Sequence, residues 1–485
     1  MTTMTMKNRQ LNHLAKISFA SVLILVLVSC KSLRITSKEA VTTTPTNFNN
    51  SSDTSSAASI KWNAFFTDPN LVALIDSALH NNKELNITLQ EINIAQNEVR
   101  ARKGEYLPNL GVGVASGIEK VGEYTTRGAN EKNDEIVEGK KNPEAIPDFM
   151  VGAFASWEID IWKKLRNAKK SAYFRYLGSV DGKNYVMTNL IAEIANSYYE
   201  LLALDNQLQI VQKNIEIQSN ALEIVKQQKQ AAQTTELAVK KFEAEVAHTK
   251  SMQFDIKQQI VVTENKINFL IGRFPQPIVR STDIFLQTPA PIISTGIPSQ
   301  LLANRSDIRQ AENELAASKL DVKVAKAKFY PSFTLRAGAG FQSFNLKYFI
   351  QTPQSLLFSL MGDLIAPLVN RNAIKAEYYS ANSKQIQAAF KYEQAIINGY
   401  VEVANQLSNT ANLNESLKLR TEQVNALNAS ISIASNLFKS AEADYMEVLM
   451  TQRDALEAKF ELVETKMNQL KTSVNLYKAL GGGWK

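Results

Sequence analysis

The chain has one cysteine and three histidines in 485 residues. A lone cysteine leaves no intrachain disulfide to expect. His13 lies in the N-terminal leader, and His80 and His248 stand alone on helical patterns, with no second histidine or cysteine at metal-ligand spacing. Ser116, in Ala115-Ser116-Gly117, lacks the glycine-x-serine-x-glycine turn of a hydrolase, and Gly111-Val112-Gly113 is not followed by the helix that a dinucleotide site requires. The ten methionines are too scattered to argue for a copper or silver substrate. These absences speak against an enzyme and against a metal or other cofactor. After the first thirty residues no run is long and apolar enough to span a bilayer as a helix, so a membrane location needs a targeting segment, strands or a lipid. Charge of either sign is also modest. The net +7 includes the leader, and no basic face interleaved with aromatics appears, so no nucleic-acid partner is expected.

What is present begins with that leader. Lys7, Arg9 and Lys16 form a basic head, Ile17 to Val28 a largely apolar run, and Leu27-Val28-Ser29-Cys30 closes it. The arrangement resembles a bacterial lipobox, which implies a leader over 1–29 and a mature chain starting at Cys30 with a thioether-linked diacylglycerol and an amide-linked acyl chain. Each buried methylene of such an anchor contributes about 0.8 kcal/mol. Lys31 in place of aspartate favours the outer membrane, by the same resemblance. Residues 30–59 are expected to comprise the acylated cysteine and a Ser/Thr/Asn-rich flexible tether, with folding starting near Trp62.

The rest of the chain repeats itself. The two repeats are expected over 60–280 and 300–480, joined by 281–299 and followed by a tail at 481–485. A helical pattern from Leu71 to Arg102 precedes Tyr106-Leu107-Pro108, and another from Gln300 to Lys328 precedes Phe329-Tyr330-Pro331. Residues before proline are pushed out of the helical region, which places the helix ends. Past each proline the pattern has period two: Leu110, Val112 and Val114 in the first repeat, Phe333, Leu335, Ala337, Ala339 and Phe341 in the second. Return strands are expected over Met150 to Trp162 and Leu356 to Leu368. A polar loop, Glu119 to Asp148, joins the first pair. Four strands cannot close a barrel around a channel; if three chains associate, as the family resemblance described below implies, the result is twelve, within the range of outer-membrane barrels.

The helices are unusually long. From Lys163 to about Lys229, apolar residues recur at spacings of three and four without a proline, enough for roughly 100 Å of helix. An element of that length belongs to a coiled assembly or a tube. A turn at Thr234 and Thr235 leads into a second helix that Gly272 can end. The second repeat runs from Ala373 to about Ser435, turns near Ala441 to Asp444, and descends to Leu480.

Three stretches carry a resemblance to a known family. Trp157-Glu158-Ile159-Asp160-Ile161-Trp162, the segment from Gly296 through Asn304-Arg305-Ser306-Asp307-Ile308-Arg309 to Glu312, and Ala366-Pro367-Leu368 together make the chain similar to outer-membrane efflux proteins of the TolC family, in their lipoprotein branch. Ser306 stands where the family usually has proline. The resemblance implies a mixed α+β membrane protein, a homotrimeric twelve-stranded outer-membrane β-barrel with four strands per chain, continued by a long periplasmic α-helical barrel. It implies partners too: two further copies, outer-membrane lipid, a periplasmic adaptor, and an inner-membrane resistance-nodulation-division transporter. By this reading the channel passes small molecules to the exterior. A type I protein-secretion conduit and a non-conducting envelope-spanning lipoprotein remain as alternatives.

Site residues follow from the same comparison. Trp157, Glu158 and Asp160 mark the strand-to-helix junction, and Asp307, Arg309 and Glu312 are expected as an ionic set at the equator. Glu447 matches one of two acidic tip positions known in relatives and Met450 falls at the other, so the pore gate is expected at Glu447, Met450 and Asp444, the last also a candidate helix cap. Thr234, Thr235, Ala441, Asp444 and Tyr445 expose the hairpin ends to an adaptor.

Overall fold

Two helices of almost equal length set the scale of the molecule. In the computed structural model, which describes residues 37–48, 55–281, 285–369, 371–440 and 442–485, they are Lys164–Gln230, with 67 residues, and Asn372–Lys439, with 68. Neither sequence contains a proline. At 1.5 Å per residue each runs about 100 Å. Their stability comes from partners, because apolar positions such as Ile194, Leu201, Val211, Leu222 and Val225 are buried along one stripe.

The elements in chain order are α1 (Pro69–Asn81), α2 (Lys83–Tyr106), β1 (Asn109–Glu119), β2 (Ile146–Ile159), α3 (Lys164–Gln230), α4 (Glu236–Ile271), α5 (Ser306–Ala327), β3 (Ser332–Ser343), β4 (Leu356–Ile365), α6 (Asn372–Lys439) and α7 (Tyr445–Ala479). The strands form one antiparallel sheet in the order β1-β2-β3-β4. The helices attached to their lower ends pack in the corresponding order, α2 on α3, α3 on α5 and α5 on α6. Each strand therefore continues into the helix below it, and the wall consists of four staves running through both layers. The shorter α4 and α7 pack back on α3 and α6 respectively.

Two apolar cores lie at equivalent places in the two repeats. One gathers Leu71, Ile75, Ile194, Tyr198, Ile267 and Tyr477 among others, with Phe65 stacked on Tyr477 at 4.1 Å. The other gathers Leu301, Ile308, Leu315, Tyr392, Ile396 and Leu480.

Several expectations change. The helical pattern from Leu71 to Arg102 is two helices, broken at Asn82. The pattern from Gln300 to Lys328 is likewise broken at Arg305, between a single turn at Leu301–Asn304 and α5. Strand β2 ends at Ile159, short of Trp162, because Asp160 leaves the sheet to cap α3; β4 ends at Ile365, just before Ala366-Pro367. The polar loop carries a helix at Thr126–Glu131 and a small two-stranded ribbon.

The tether also differs. The compact unit spans Ala40–Lys485. The Val41 amide donates to Glu393 at 2.9 Å, Phe48 is fully buried and stacks on Tyr400, and the Ala57 amide donates to Ser294. One phenylalanine and a few alanines dock a stretch whose overall composition is that of a linker, so packing starts ahead of Trp62. Cys30 lies outside the described residues. No described helix is long and apolar enough to cross a membrane.

Candidate functional site

The sheet has two chemically distinct faces. Residues opposite each other in an antiparallel pair point the same way, so the register groups Leu110 with Ala155, Ala337 and Leu360, and Val112 with Ala153, Ala339 and Phe358. On this face Val112 is 80% exposed and Phe358 81%. Such a contiguous apolar surface suits hydrocarbon and is costly in water. The opposite face carries Asn109, Ser156, Arg336, Glu158, Thr334 and Asp363, with Arg336 and Asp363 paired at 3.4 Å. An apolar outside and a polar inside are what a strand needs to separate lipid from a water-filled lumen.

At the base of the sheet, each of the three junction residues expected from sequence has its own partner. The buried Asp160 carboxylate accepts from the Leu165 and Arg166 amides at 3.1 and 2.9 Å, capping α3, and from Arg166 Nε at 3.2 Å. Glu158 pairs with Lys164 at 2.5 Å, and Trp157 Nε1 donates to the Tyr106 carbonyl. Trp162, quoted in the motif but given no role, donates to the Pro331 carbonyl at 2.7 Å and stacks on Tyr330, tying the two repeats together at this level.

At the equator the expected ionic set is rearranged. Asp307 is held by Arg305, through Nε at 3.0 Å and Nη2 at 2.7 Å. Arg305 Nη1 also donates to Glu402 at 2.6 Å and to the Ala479 carbonyl at 3.0 Å, with the side chain only 5% exposed. Arg309 instead faces Asp181 at 3.0 Å and lies over the Trp484 ring. Burial raises the Asp181 carboxyl above its ordinary range, against the lowering effects of Arg309 and Asn313, and the negative charge of Glu312 adds to the rise. Sequence reasoning missed Arg305, although it stands two residues before Asp307 in the quoted motif; nothing local marks it as the buried member.

The tail takes part as well: Trp484 Nε1 donates to the Asn304 carbonyl at 3.0 Å, and Lys485 Nζ to the Asn304 side chain at 2.8 Å. Higher in the wall, two adjoining hollows of about 420 and 610 Å³ share Arg175, Asp321, Val324 and Glu377; Arg175 pairs there with Asp321 at 2.6 Å and Glu314 at 3.3 Å.

At the tip, Thr235 caps α4 by accepting from the Ala238 amide, and Thr234 precedes it in the turn. Asp444 occupies the cap position of α7, but its side chain makes no cap bond; the Glu447 amide donates to its backbone carbonyl at 3.1 Å. Tyr445 opens α7 and packs partly against the apolar cluster of Leu222, Phe242 and Leu449. Glu447 and Met450 lie on an exposed face of α7, opposite the buried Val448, Leu449, Gln452 and Ala455. Asp454 shares that face, seven residues after Glu447, and was not singled out from sequence. Ala441 lies outside the described residues. Among the described residues, no group of three His, Cys, Asp or Glu side chains is placed to hold a metal ion.

A sheet with one face for lipid and one for water, continued stave by stave into long helices, defines an outer-membrane channel with a large periplasmic helical region. The profile of the family described as "Outer membrane efflux protein" matches residues 74–273 and 297–482, so the chain belongs to that family, the TolC-like efflux channels, and serves as the outer-membrane channel component of an efflux system. The two matched blocks fall one in each repeat. Among relatives, the chain is 29% identical over 425 residues to the pyoverdine export outer membrane protein OpmQ of Pseudomonas putida, covering 88% of both chains. It is 27% identical to the toluene efflux pump outer membrane protein TtgF of the same species, covering 88% of this chain and 86% of that protein. It is 26% identical to the cation efflux system protein CusC of Escherichia coli, covering 87% and 88%. Among solved structures, a membrane protein from Pseudomonas aeruginosa superposes with a TM-score of 0.84 at 22% identity, covering 93% of this chain and 97% of that one. The open-state MtrE outer membrane channel of Neisseria gonorrhoeae gives 0.81, also at 22% identity, covering 92% and 97%.

Proposed function

We propose that three copies of this chain close a twelve-stranded barrel and a helical tunnel, forming the exit duct of a tripartite pump that expels small molecules. The observation that carries the reading is the pair of open edges on the wall. Strands β1 and β4 each have a free edge, and the helices beneath them expose apolar side chains: Ile87 and Ile94 on α2, and Tyr379, Phe390, Ile397 and Val401 on α6. The α6 residues fall along one side of the helix, away from the α5 contact. Two different edges that each need covering suit a head-to-tail ring of identical chains; two copies would give only eight strands, whose interior side chains nearly fill, and three is the smallest number that leaves a wider lumen.

The duct joins a periplasmic adaptor and, with it, an inner-membrane resistance-nodulation-division transporter. The hairpin ends at Thr234, Thr235, Ala441, Asp444 and Tyr445 are the adaptor surface. The named activities of the relatives, export of pyoverdine, toluene and cations, support small solutes over folded protein as cargo. Cys30 carries the lipid, and the 1–29 leader is removed; the mass of the mature chain, and its loss of acyl groups in Cys30→Ser, test this. The gate lies at the tip, where threefold rings of Glu447 and Asp454 carboxylates with Met450 between them, flanked by Asp444, would favour cations and narrow the exit.

Conductance of the purified protein in a planar bilayer tests the whole reading. Discrete, cation-preferring steps that become larger or more frequent in Glu447→Ala with Asp454→Ala are expected. Steps identical in the variant would move the gate away from α7, and the absence of steps in both, with no trimer on sedimentation, would remove the channel assembly.

A further inference from the structure

The luminal face of the sheet is not uniformly polar. At mid-height Phe154 is aligned with Gly111 and Gly338, and the next row is Gly113, Gly152 and Gly340. The Phe154 ring lies across this bed. A Cβ added at Gly338 would stand 3.1 Å from its Cδ1, one at Gly113 3.3 Å from Cε2, and one at Gly152 3.3 Å from Cζ. Three strands have thus been cleared of side chains around a single ring. The ring is held down against the sheet, with one face to the backbone and the other open to the lumen; it remains 38% exposed.

The charges farther up the same face, about 20 Å along the strand from the ring, set a preference of sign for what enters. Of the luminal carboxylates on the strands, Glu119 is paired with Arg127, Glu158 with Lys164, and Asp363 with Arg336. Asp148 is different: among the described residues its partner is the neutral amide of Gln342, at 3.0 and 2.9 Å. One negative charge per chain is left without a cationic partner on this face, so the lumen draws in cations. An open aromatic face attracts a cation through its quadrupole and stacks on a flat ring.

We propose that Phe154 and its glycine bed form a transient binding shelf for aromatic organic cations within the barrel lumen. The shelf rests on the channel reading, because it needs the glycine face to be the lumen. It would act on residence of a solute in the exit duct, where Asp148 raises the local concentration of cations and the ring holds those that carry an aromatic body.

The test uses full-length protein in lipid nanodiscs and saturation-transfer NMR, with benzyltrimethylammonium as the probe and tetramethylammonium and benzenesulfonate for comparison. Transfer to the ring protons of benzyltrimethylammonium is expected. It should fall about two- to fivefold in Phe154→Ala, the size of one exposed cation–π contact, and be retained in Phe154→Trp. Gly338→Ala, which displaces the ring without removing it, should also lower it. The other two probes should give weaker signals that do not respond to Phe154. An unchanged signal in Phe154→Ala, or benzenesulfonate matching the cation, overturns the shelf. Sedimentation of the same samples separates the two levels: a trimer without Phe154-dependent transfer defeats the shelf alone, whereas a chain that does not form a trimer defeats the channel assembly and the shelf with it.

Discussion

The two repeats make the same joint with different chemistry. In the first, the helix breaks at Asn82, whose Nδ2 donates to the Leu270 carbonyl at 2.8 Å near the end of α4, while Gly272 packs against the Asn81 carbonyl. In the second, the break is at Arg305, whose Nη1 donates to the Ala479 carbonyl at the end of α7, while Gly481 packs against the Asn304 carbonyl. The positional offsets are identical, and both glycines have positive φ, 80° and 89°. A Cβ at either would stand 2.5 Å from that carbonyl oxygen, so glycine is required twice over. The difference lies in what else the polar residue does. Asn82 is a neutral cap that also accepts from the Leu85 amide. Arg305 brings a buried charge and with it Asp307 and Glu402. The neutral joint needs one distant carbonyl and the amide of its own helix, whereas the charged one also recruits two carboxylates, one of them on α6, and so fastens more of the wall.

That contrast can be broken by substitution. Arg305→Met leaves Asp307 and Glu402 without their cation and the Ala479 carbonyl without this donor; a loss of about 2–3 kcal/mol is expected, read as a lowered unfolding midpoint. If this variant costs no more than its counterpart at Asn82, the charged network adds nothing to the joint. Alkali should act next. Burial pushes the hydroxyls of Tyr199 and Tyr477 up to about 12 and raises that of Tyr198, where hydrogen bonding to Asp68 adds to the effect. The unfolded chain loses these protons first, near pH 10. It then binds fewer protons than the folded state, so stability falls as pH rises from about 10 to about 12, by on the order of 2 kcal/mol for Tyr477. Unfolding midpoints measured across that range should decline, and Tyr477→Phe should flatten the slope.

Smaller effects sharpen the comparison at the barrel base. Asp160→Ala should cost about 1–2 kcal/mol, as loss of a buried helix cap does. In the second repeat Arg371, at the cap position of α6, makes no side-chain cap bond; its Nε donates to the Pro367 carbonyl at 2.5 Å. Thermal melts of Asp160→Ala and Arg371→Ala should therefore separate, the first lower. Asn82→Ala should cost about 1 kcal/mol, checked by urea unfolding. Equal losses at Asn82 and Arg305 would mean that the helix break itself, and not its charge, sets the strength of the equator.

What was legible in the sequence follows from how local each signal is. Helix ends marked by Pro108 and Pro331, the period-two alternation around Val112 and Ala337, and the long uninterrupted helices all express backbone rules acting within a few residues, and they appear where expected. Asp160 was reached through the family resemblance alone, which placed it at the junction; its service to the Leu165 and Arg166 amides appears only in the structure. The break at Asn82 was hidden because neither proline nor glycine stands there; its partner is 188 residues away. Arg305 was hidden for the same reason, and Phe48 because a single aromatic in a Ser/Thr/Asn-rich stretch does not alter its composition. Phe154 went unnoticed in a return strand judged by its ends, since the glycines that seat it belong largely to other strands.

The near equality of the two long helices has a consequence for symmetry. Helices of 67 and 68 residues, returning through helices of 36 and 35, bring both hairpin ends of a chain to almost the same reach, within about 1.5 Å for the one-residue difference. In the proposed ring of three such chains this would give a level rim of six similar knuckles, and a partner able to grip one of them would meet twice as many places to hold as there are chains.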